Sequence, residues 1–440
     1  MFRLSLTIGW LSACNSVLAV LVPWYVVTKI GANAETDAFF ASSAPPQFIF
    51  LIISSTFAPI LVPLFATSDE ESFLNDARTF FLAVTVFFCL LAVVLLIAAE
   101  VWVPFLVSGF SAAGKGLALR LTKIQLISMV LNASIVTLWS CYQARQKFIW
   151  QEVSSLLANV SALLLLVYAL PRFGIQAAAW AMVFNNSLKL ILLLPILGRW
   201  RRLRWNTAIA AEAWRRLKPF LPGQIYLKTD PLLDRYLTSM TQAGGLSLFY
   251  VGQQVLSTVN HVLYKSVAST LAPALAIEAK EGAWHTYRRA YRQRLLMMLA
   301  LTTAGVLLLL SVGLPASHLA IGHGGVTAEN VRTLWLIMLS LAGVFVGGAA
   351  LQVTSVAFYA IGDTKTPALL SATAYTIYIP LKVLVFLRYG LFALAVVMSV
   401  YFVVSFIAQF LALERAVRRR LGGGGEAFVG EEGSAAACSG

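Results

Sequence analysis

Long stretches of apolar residues dominate this sequence and limit the folds that it can adopt. About twelve of them are present, at residues 5–28, 38–65, 79–107, 121–141, 149–170, 174–198, 219–240, 246–277, 295–314, 330–359, 367–387 and 391–412. A helix that crosses a bilayer needs about 20 such residues. Only 12% of the 440 residues are charged, whereas soluble domains have about 25%. The sequence therefore predicts an all-α integral membrane protein with about 12 transmembrane helices, because helices satisfy their own backbone hydrogen bonds in lipid.

The basic residues predict the orientation of these helices. With a cytoplasmic N-terminus, about 21 Lys and Arg residues fall in cytoplasmic segments and about five in outside loops, which is a strong positive-inside bias. The C-terminus is then cytoplasmic as well. The net charge of +14 is explained by these segments and by contact with anionic membrane lipids. We expect no nucleic-acid partner.

The two halves of the sequence resemble each other at a shift of 214–217 residues. Gly31 falls on Gly245, and residues 172–174 fall on residues 388–390. The shift contains six predicted spans, so both halves cross the membrane in the same sense, as in transporters built from parallel repeats. We predict four segments: a six-helix lobe (1–198), a basic cytoplasmic linker (199–218), a second six-helix lobe (219–412) and a flexible cytoplasmic tail (413–440).

The seventh span concentrates charge inside the predicted membrane. It contains Lys228, Asp230, Asp234 and Arg235 within eight residues, and four unpaired charges would cost on the order of 10 kcal/mol there. They must therefore pair with each other or face water. Pro231 predicts that this helix is kinked or broken. Broken, charged helices are where transporters of this kind bind substrate.

The eighth span adds two further cations, His261 and Lys265, on one helix face. Together with two cations of the seventh span they suit a phosphate or pyrophosphate group. The candidate substrate-binding residues are Lys228, Arg235, His261 and Lys265. Alternatively, Asp230 and Asp234 neutralise these cations in buried ion pairs. The two aspartates are also candidates for coupling a proton or a sodium ion to transport.

The remaining charged residues within apolar stretches have simpler interpretations. We expect Lys123, Lys189, Arg332 and Lys382 to lie near helix ends, where long side chains extend to the membrane surface. Glu152 is expected at the membrane interface.

Three stretches resemble one known family. They are residues 31–40 (GANAETDAFF), residues 234–239 with 244–250 (DRYLTS and GGLSLFY), and residues 358–367 (FYAIGDTKTP). In this order they resemble the MurJ/MviN-like lipid II flippase family of the multidrug/oligosaccharidyl-lipid/polysaccharide (MOP) exporter superfamily. The resemblance implies two parallel six-helix lobes around a central cavity, in the bacterial cytoplasmic membrane. It also implies a cargo that is an undecaprenyl-pyrophosphate-linked saccharide, moved outward.

The loop motifs of this family have a structural interpretation. Thr36 and Asp37 suit the N-terminus of the second helix. Asp363 suits a cap of the eleventh helix, with Pro367 as its first residue, and Thr364 lies between them. We expect these five residues to be mainly structural.

The identity of the saccharide stays open at the sequence level. Flippases of this family have cavity-facing arginines on the first two helices, whereas residues 12–27 and 44–55 contain none. Lipid II and an exopolysaccharide or O-antigen-type repeat unit are both candidate cargoes. Enzymes of cell-envelope assembly are candidate partners.

Two other functions are compatible with parts of the sequence. An ion-coupled antiporter for drugs or organic cations would have the same fold, but its cargo favours acidic or aromatic walls. A polyprenyl-linked glycosyltransferase needs a carboxylate or metal site outside the membrane, which the short loops do not supply. We therefore predict no catalytic residue, no metal and no cofactor apart from a coupling H⁺ or Na⁺.

Overall fold

The computed structural model describes residues 2–66, 69–198 and 207–423, and all regular structure within them is helical. The side chains of residues 2–6, 207–210, 220, 265–270 and 422–423 lie outside this description. The helices are α1 (Phe2–Ile30), α2 (Ala34–Ser42), α3 (Ala44–Ala66), α4 (Glu70–Ile97), α5 (Ala99–Leu106), α6 (Ala112–Ala144), α7 (Phe148–Phe173), α8 (Ile175–Leu193), α9 (Thr207–Leu227), α10 (Asp230–Thr238), α11 (Gly245–Lys280), α12 (Trp284–Ile321), α13 (Ala328–Ser340), α14 (Ala342–Ala360) and α15 (Lys365–Gly423).

Nine helical segments of the described chain are long and apolar enough to cross a membrane. The last of them, Lys365–Leu421, contains both the eleventh and the twelfth predicted span. The other two predicted spans correspond to α9 with α10 and to α11, which carry the charged and polar residues noted above. The all-α fold of a multi-pass membrane protein is therefore confirmed.

Glycines mark equivalent breaks in the two halves of the chain. Gly174 separates α7 from α8 with φ 61° and ψ −155°, and Gly390 interrupts α15 with φ 75° and ψ −155°. Residues with a Cβ rarely adopt this conformation. The two glycines correspond in the predicted repeat. The repeat pairs Gly31 with Gly245. In the structure, however, Gly31 has the same φ of 93° as Gly244, which lies one residue earlier.

The chain forms two compact units. The first contains Met1–Gln254 and Ser317–Leu334, and the second contains Val255–Ala316 and Trp335–Gly440. These borders differ from the predicted lobes because α9, α10 and the start of α11 group with the first six spans.

The predicted linker and tail are more helical than expected. Residues 207–218 of the linker form the first half of α9, and residues 199–206 lie outside the described chain. Residues 413–423 of the tail continue α15, so the expectation of a flexible segment is wrong there. Buried Glu414 holds this end of α15 through ion pairs with Arg288 and Arg292 of α12. Residues 424–440 lie outside the described chain.

In the first unit α6 is the central helix. Its residues Leu121, Met129 and Leu138 are fully buried. Ile53 of α3 and Phe88 of α4 belong to the same apolar cluster as Met129. The long buried face of α6 thus organises the helices that precede and follow it.

In the second unit α14 packs closely against the second half of α15. A Cβ atom at Gly343 or Gly347 of α14 would meet the backbone at Ser399 or Val403. Two glycines four residues apart allow this approach, as in other membrane helix pairs. A second contact joins α12 to α14, where the Tyr287 hydroxyl donates to the Ala357 carbonyl.

Candidate functional site

The seventh span is broken at the predicted place. Helix α9 ends at Leu227 and α10 begins at Asp230, with Pro231 in its first turn. A proline there costs little because the first N–H groups of a helix have no intrahelical acceptor. Lys228, which is half-buried, lies in the break. It is therefore not on the same continuous helix as Arg235.

Two charged residues of α10 are buried side by side. Asp234 and Arg235 are each 2% exposed. The Oδ2 atom of Asp234 accepts a hydrogen bond of 3.1 Å from Gln253 Nε2. The guanidinium carbon of Arg235 lies 4.4 Å from the ring centroid of Tyr250, which places a cation over an aromatic face. Gln253 and Tyr250, both on α11, were not predicted as site residues.

The hydrogen-bond donors of Arg235 are only partly used. Its Nε and Nη1 atoms are buried and donate to no acceptor within the described residues. Asp234 attracts the guanidinium electrostatically. Buried donors without acceptors are costly, and a planar guanidinium is suited to two oxygens of a phosphate group. This arrangement can bind an anion at little additional desolvation cost.

The other predicted site residues are more dispersed. Asp230 is half-buried as the first residue of α10. His261 belongs to the second unit, and its side chain is exposed. The side chain of Lys265 lies outside the described residues. The roles of these three residues remain predictions.

Asp37 connects the first two family motifs. Its Oδ2 accepts from the backbone N–H of Gly244 at 2.6 Å, and its Oδ1 accepts from the N–H of Ser247 at 2.8 Å. The Ser247 hydroxyl bonds to the same carboxylate, and its oxygen lies 2.9 Å from Thr36 Oγ1. Asp37 therefore caps the N-terminus of α11 rather than that of α2, where we expected it to act.

The N-terminus of α2 has its own cap. The Asn33 side chain accepts from the N–H groups of Glu35 and Thr36, and Thr36 Oγ1 accepts from the Asn33 N–H. This reciprocal pair is a capping box. The expected structural role of Thr36 agrees with it, although Asn33 is the capping residue itself.

Two glycine-containing segments pack against the C-terminal end of α1. The Gly325 N–H donates to the Thr28 carbonyl at 2.9 Å, and Trp24 Nε1 donates to the Ala320 carbonyl at 2.9 Å. A Cβ atom at Gly244 would meet the backbone of Ala32. The C-terminal end of α1 is thus covered by the start of α11 and by residues 320–325. We refer to this region as the closed end of the first unit.

The third family motif caps α15. Asp363 Oδ1 accepts from the Thr366 N–H at 3.0 Å. The Thr366 hydroxyl and N–H together hold the pKa of Asp363 below its usual value. Thr364 is exposed, and Pro367 is the third residue of α15 rather than the first. Proline is nevertheless tolerated there, because the N–H groups in the first turn of a helix have no acceptor within the helix.

One prediction about buried charge is wrong. Lys382 was expected to extend to the membrane surface, but its side chain is 0% exposed. Its ammonium lies 5.0 Å from the ring centroid of Tyr378. The prediction failed because the helix continues for two turns beyond Lys382 to the break at Gly390 and turns this side chain toward the protein interior. Within the described residues, no group of three or more His, Cys, Asp or Glu side chains could hold a metal ion.

Comparison with known sequences identifies a family. A model of the family described as lipid II flippase MurJ matches residues 26–434. A probable lipid II flippase MurJ from Vibrio cholerae is 23% identical over 433 residues, covering 91% of this chain and 80% of that protein. One from Buchnera aphidicola is 20% identical over 392 residues, covering 84% of this chain and 75% of that protein.

Comparison with solved structures identifies the fold. A lipid II flippase MurJ in an inward closed conformation has a TM-score of 0.81 at 15% identity, covering 92% of this chain and 87% of that one. An inward-facing multidrug resistance MATE family transporter of the MOP superfamily has a TM-score of 0.72 at 14% identity, covering 94% and 95%. The fold is that of the MOP exporters. Because the family match spans most of its length, the chain belongs to the lipid II flippase MurJ family.

Proposed function

We propose that this protein moves lipid II across the bacterial cytoplasmic membrane by alternating access. The observation that carries this proposal is buried Arg235, whose Nε and Nη1 have no acceptor within the described residues. Its guanidinium would bind the pyrophosphate that joins the polyprenyl chain to the saccharide. Lys228, His261 and Lys265 are further cations for the same group. Of the two cargoes that the sequence left open, the family favours lipid II over another polyprenyl-linked saccharide.

The closed end of the first unit supports a conformational cycle. We propose that this end faces the outside, as the distribution of basic residues predicts. Asp37 and the glycine contacts would then hold the outer side shut while cargo enters from the cytoplasm. Opening this end requires breaking a few hydrogen bonds, which is within the range that cargo binding supplies. Either Asp230 or Asp234 would couple a proton or a sodium ion to the cycle.

The alternative functions are less well supported. Members of this family are transporters, and so this protein is not an enzyme of the glycosyltransferase kind. The MATE neighbour shares the fold, but an organic cation would be repelled by a buried guanidinium with unused donors.

Replacement of the resident flippase in a bacterium tests the proposal. This protein should restore growth when that flippase is depleted. Arg235→Gln should abolish the rescue at equal protein level, and Arg235→Lys should leave only part of it because an ammonium lacks the planar pair of donors. Lys265→Ala removes a predicted cation of the eighth span and tests its role by the same growth measurement.

Arg172→Gln is the matched control. Its guanidinium also stacks on a tyrosine, at 3.7 Å from the Tyr168 ring, but it is exposed. This variant should rescue growth fully. Unimpaired rescue by both Arg235→Gln and Lys265→Ala would remove the proposed pyrophosphate site.

A further inference from the structure

A chain of side-chain amides crosses the first unit from α8 to α1. Asn185 Nδ2 donates to Asn159 Oδ1 at 2.8 Å, and Asn159 Nδ2 donates to Asn15 Oδ1 at 3.1 Å. Asn15 Nδ2 in turn donates to Glu152, both to its carboxylate Oε2 and to its backbone carbonyl, at 3.0 Å each. All three amides donate in the same direction, so each one polarises the next.

Glu152 fixes the direction of this chain. A backbone carbonyl can only accept, so Asn15 presents its NH₂ group to Glu152, whose side-chain Oε2 accepts from the same nitrogen. The orientation of Asn15 then sets that of Asn159, and Asn159 sets that of Asn185. Lys189 of α8 attracts the Glu152 carboxylate electrostatically.

The far end of the amide chain lines a cavity. The cavity has a volume of about 200 Å³ and lies within the first unit. Its polar lining includes Asn159, Asn185, Asn186 and Ser43, and its aromatic lining includes Phe40 and Tyr250. The Asn186 amide forms no hydrogen bond with another of the described residues. None of the lining residues is charged.

This composition matches a sugar ring. Each hydroxyl of a saccharide is both a donor and an acceptor, and a side-chain amide offers both functions in a fixed geometry. The Tyr250 ring stacks on Phe40 at 4.6 Å and also faces the Arg235 guanidinium. One aromatic residue therefore joins the amide-lined cavity to the proposed pyrophosphate site. A pyrophosphate bound at Arg235 would place the sugar that it carries beside this cavity.

We propose that the amide-lined cavity is the subsite for the saccharide part of the cargo, with Glu152 as the positioning residue that orients its amides. This inference rests on the proposed function, because the sugar is presented by a polyprenyl pyrophosphate. It assigns recognition of the saccharide to α7 and α8, whereas Arg235 recognises the pyrophosphate.

Binding of two ligands to the purified full-length protein tests the assignment. The probes are lipid II and undecaprenyl pyrophosphate, which lacks the saccharide. Asn185→Leu and Asn186→Leu should each weaken lipid II binding about tenfold, as expected for one or two lost hydrogen bonds. Neither variant should change binding of undecaprenyl pyrophosphate. Asn330→Leu makes the same chemical change on α13, away from the cavity, and should bind both ligands as the unmodified protein does.

Three further variants keep the test independent of folding defects. Ala19→Phe fills the cavity from an exposed position on α1 without altering an amide, and it should weaken only lipid II binding. Glu152→Ala should have a weaker selective effect of the same kind, because it removes one of the two acceptors that orient the Asn15 amide. Glu152→Gln keeps an acceptor for Asn15 and should restore most of the binding, which a loss of packing alone would not explain.

The outcomes separate this inference from the proposed function. Equal weakening of both ligands, or no weakening of either, in the Asn185, Asn186 and Ala19 variants would overturn the saccharide subsite. Equal affinity of the unmodified protein for both ligands would also overturn it, but it would leave the pyrophosphate site intact. If the unmodified protein binds neither ligand, the proposed function fails and the subsite fails with it.

Discussion

Two buried charged residues illustrate different uses of charge in this membrane protein. Both carboxylate oxygens of Glu414 accept hydrogen bonds. Arg288 donates at 2.6 Å, Arg292 donates at 2.7 Å, and the Tyr291 hydroxyl also donates. Arg235 has buried donors without an acceptor in the described chain. A buried charged group whose hydrogen bonds are all made within the protein stabilises the fold, whereas one with unused donors is available to a ligand.

Replacement of Glu414 should therefore affect stability. Glu414→Gln removes the charge that satisfies two arginines and a buried tyrosine, so we expect the free energy of unfolding to fall by about 2 kcal/mol. Thermal unfolding of the purified protein measures this change.

The control is an exposed ion pair of the same type. Glu100 lies 3.5 Å from Lys123, with side chains 76% and 41% exposed. Glu100→Gln should change stability by less than about 0.5 kcal/mol because water screens such pairs. An equal effect of the two variants would contradict the structural role of Glu414.

The sequence predicted the charged residues of the site but not their partners. Asp234 and Arg235 were identified because charge inside an apolar stretch must be explained. Tyr250 and Gln253 face them from another helix, and no local pattern fixes which residues of two helices meet. The amide chain was missed for the same reason, since Asn15, Asn159 and Asn185 are separated by many residues and are unremarkable individually.

At the scale of the elements, glycines set where the long helices end. Gly174 and Gly390 have open space around the position of a Cβ atom, so only their backbone conformation requires glycine. Each lies between two of the predicted spans and separates them into two helices that can reverse direction.

Alanine at either glycine should destabilise the protein. Gly174→Ala and Gly390→Ala should each cost about 1–3 kcal/mol, because φ near 60–75° with ψ near −155° is almost restricted to glycine. Thermal unfolding of each variant tests this expectation.

Gly116 in α6 is the control, because alanine at this position is not expected to destabilise the protein. It also has open space at the Cβ position, but its φ lies outside the left-handed region. Gly116→Ala should be neutral or stabilise the protein by up to about 1 kcal/mol. Destabilisation by all three variants to the same extent would contradict the proposed role of backbone conformation.

The number and type of the helices could be predicted because apolar length alone defines a membrane span. The break before Pro231 could be predicted because proline cannot continue a helix. The compact units could not, since they depend on contacts such as those of Asp37 with α11, which lie 207–210 residues apart. The close packing at Gly343 and Gly347 does have a sequence signal, which is two glycines four residues apart.

At the scale of the whole molecule, the closed end of the first unit should limit transport. Thr36 of α2 and Ser247 of α11 have side-chain oxygens 2.9 Å apart. A disulfide between Thr36→Cys and Ser247→Cys, in a protein without its four native cysteines, should hold this end shut. We expect oxidation to stop transport and reduction to restore it.

A second pair of cysteines controls for the cross-link itself. Thr85 of α4 and Ser134 of α6 have oxygens 2.8 Å apart within the first six spans. The disulfide between Thr85→Cys and Ser134→Cys should leave transport unchanged. If the fully oxidised Thr36–Ser247 pair transports as well as the reduced protein, the closed end does not open during the cycle.

Transport of lipid II in reconstituted vesicles is the most direct test of the central claim. The fraction of lipid II that reaches the opposite leaflet would be followed with a reagent that cannot cross the membrane. The account predicts that the protein transfers lipid II faster than protein-free vesicles do, and that Arg235→Gln reduces the rate to the protein-free level. A rate for the unmodified protein equal to that of protein-free vesicles would contradict it.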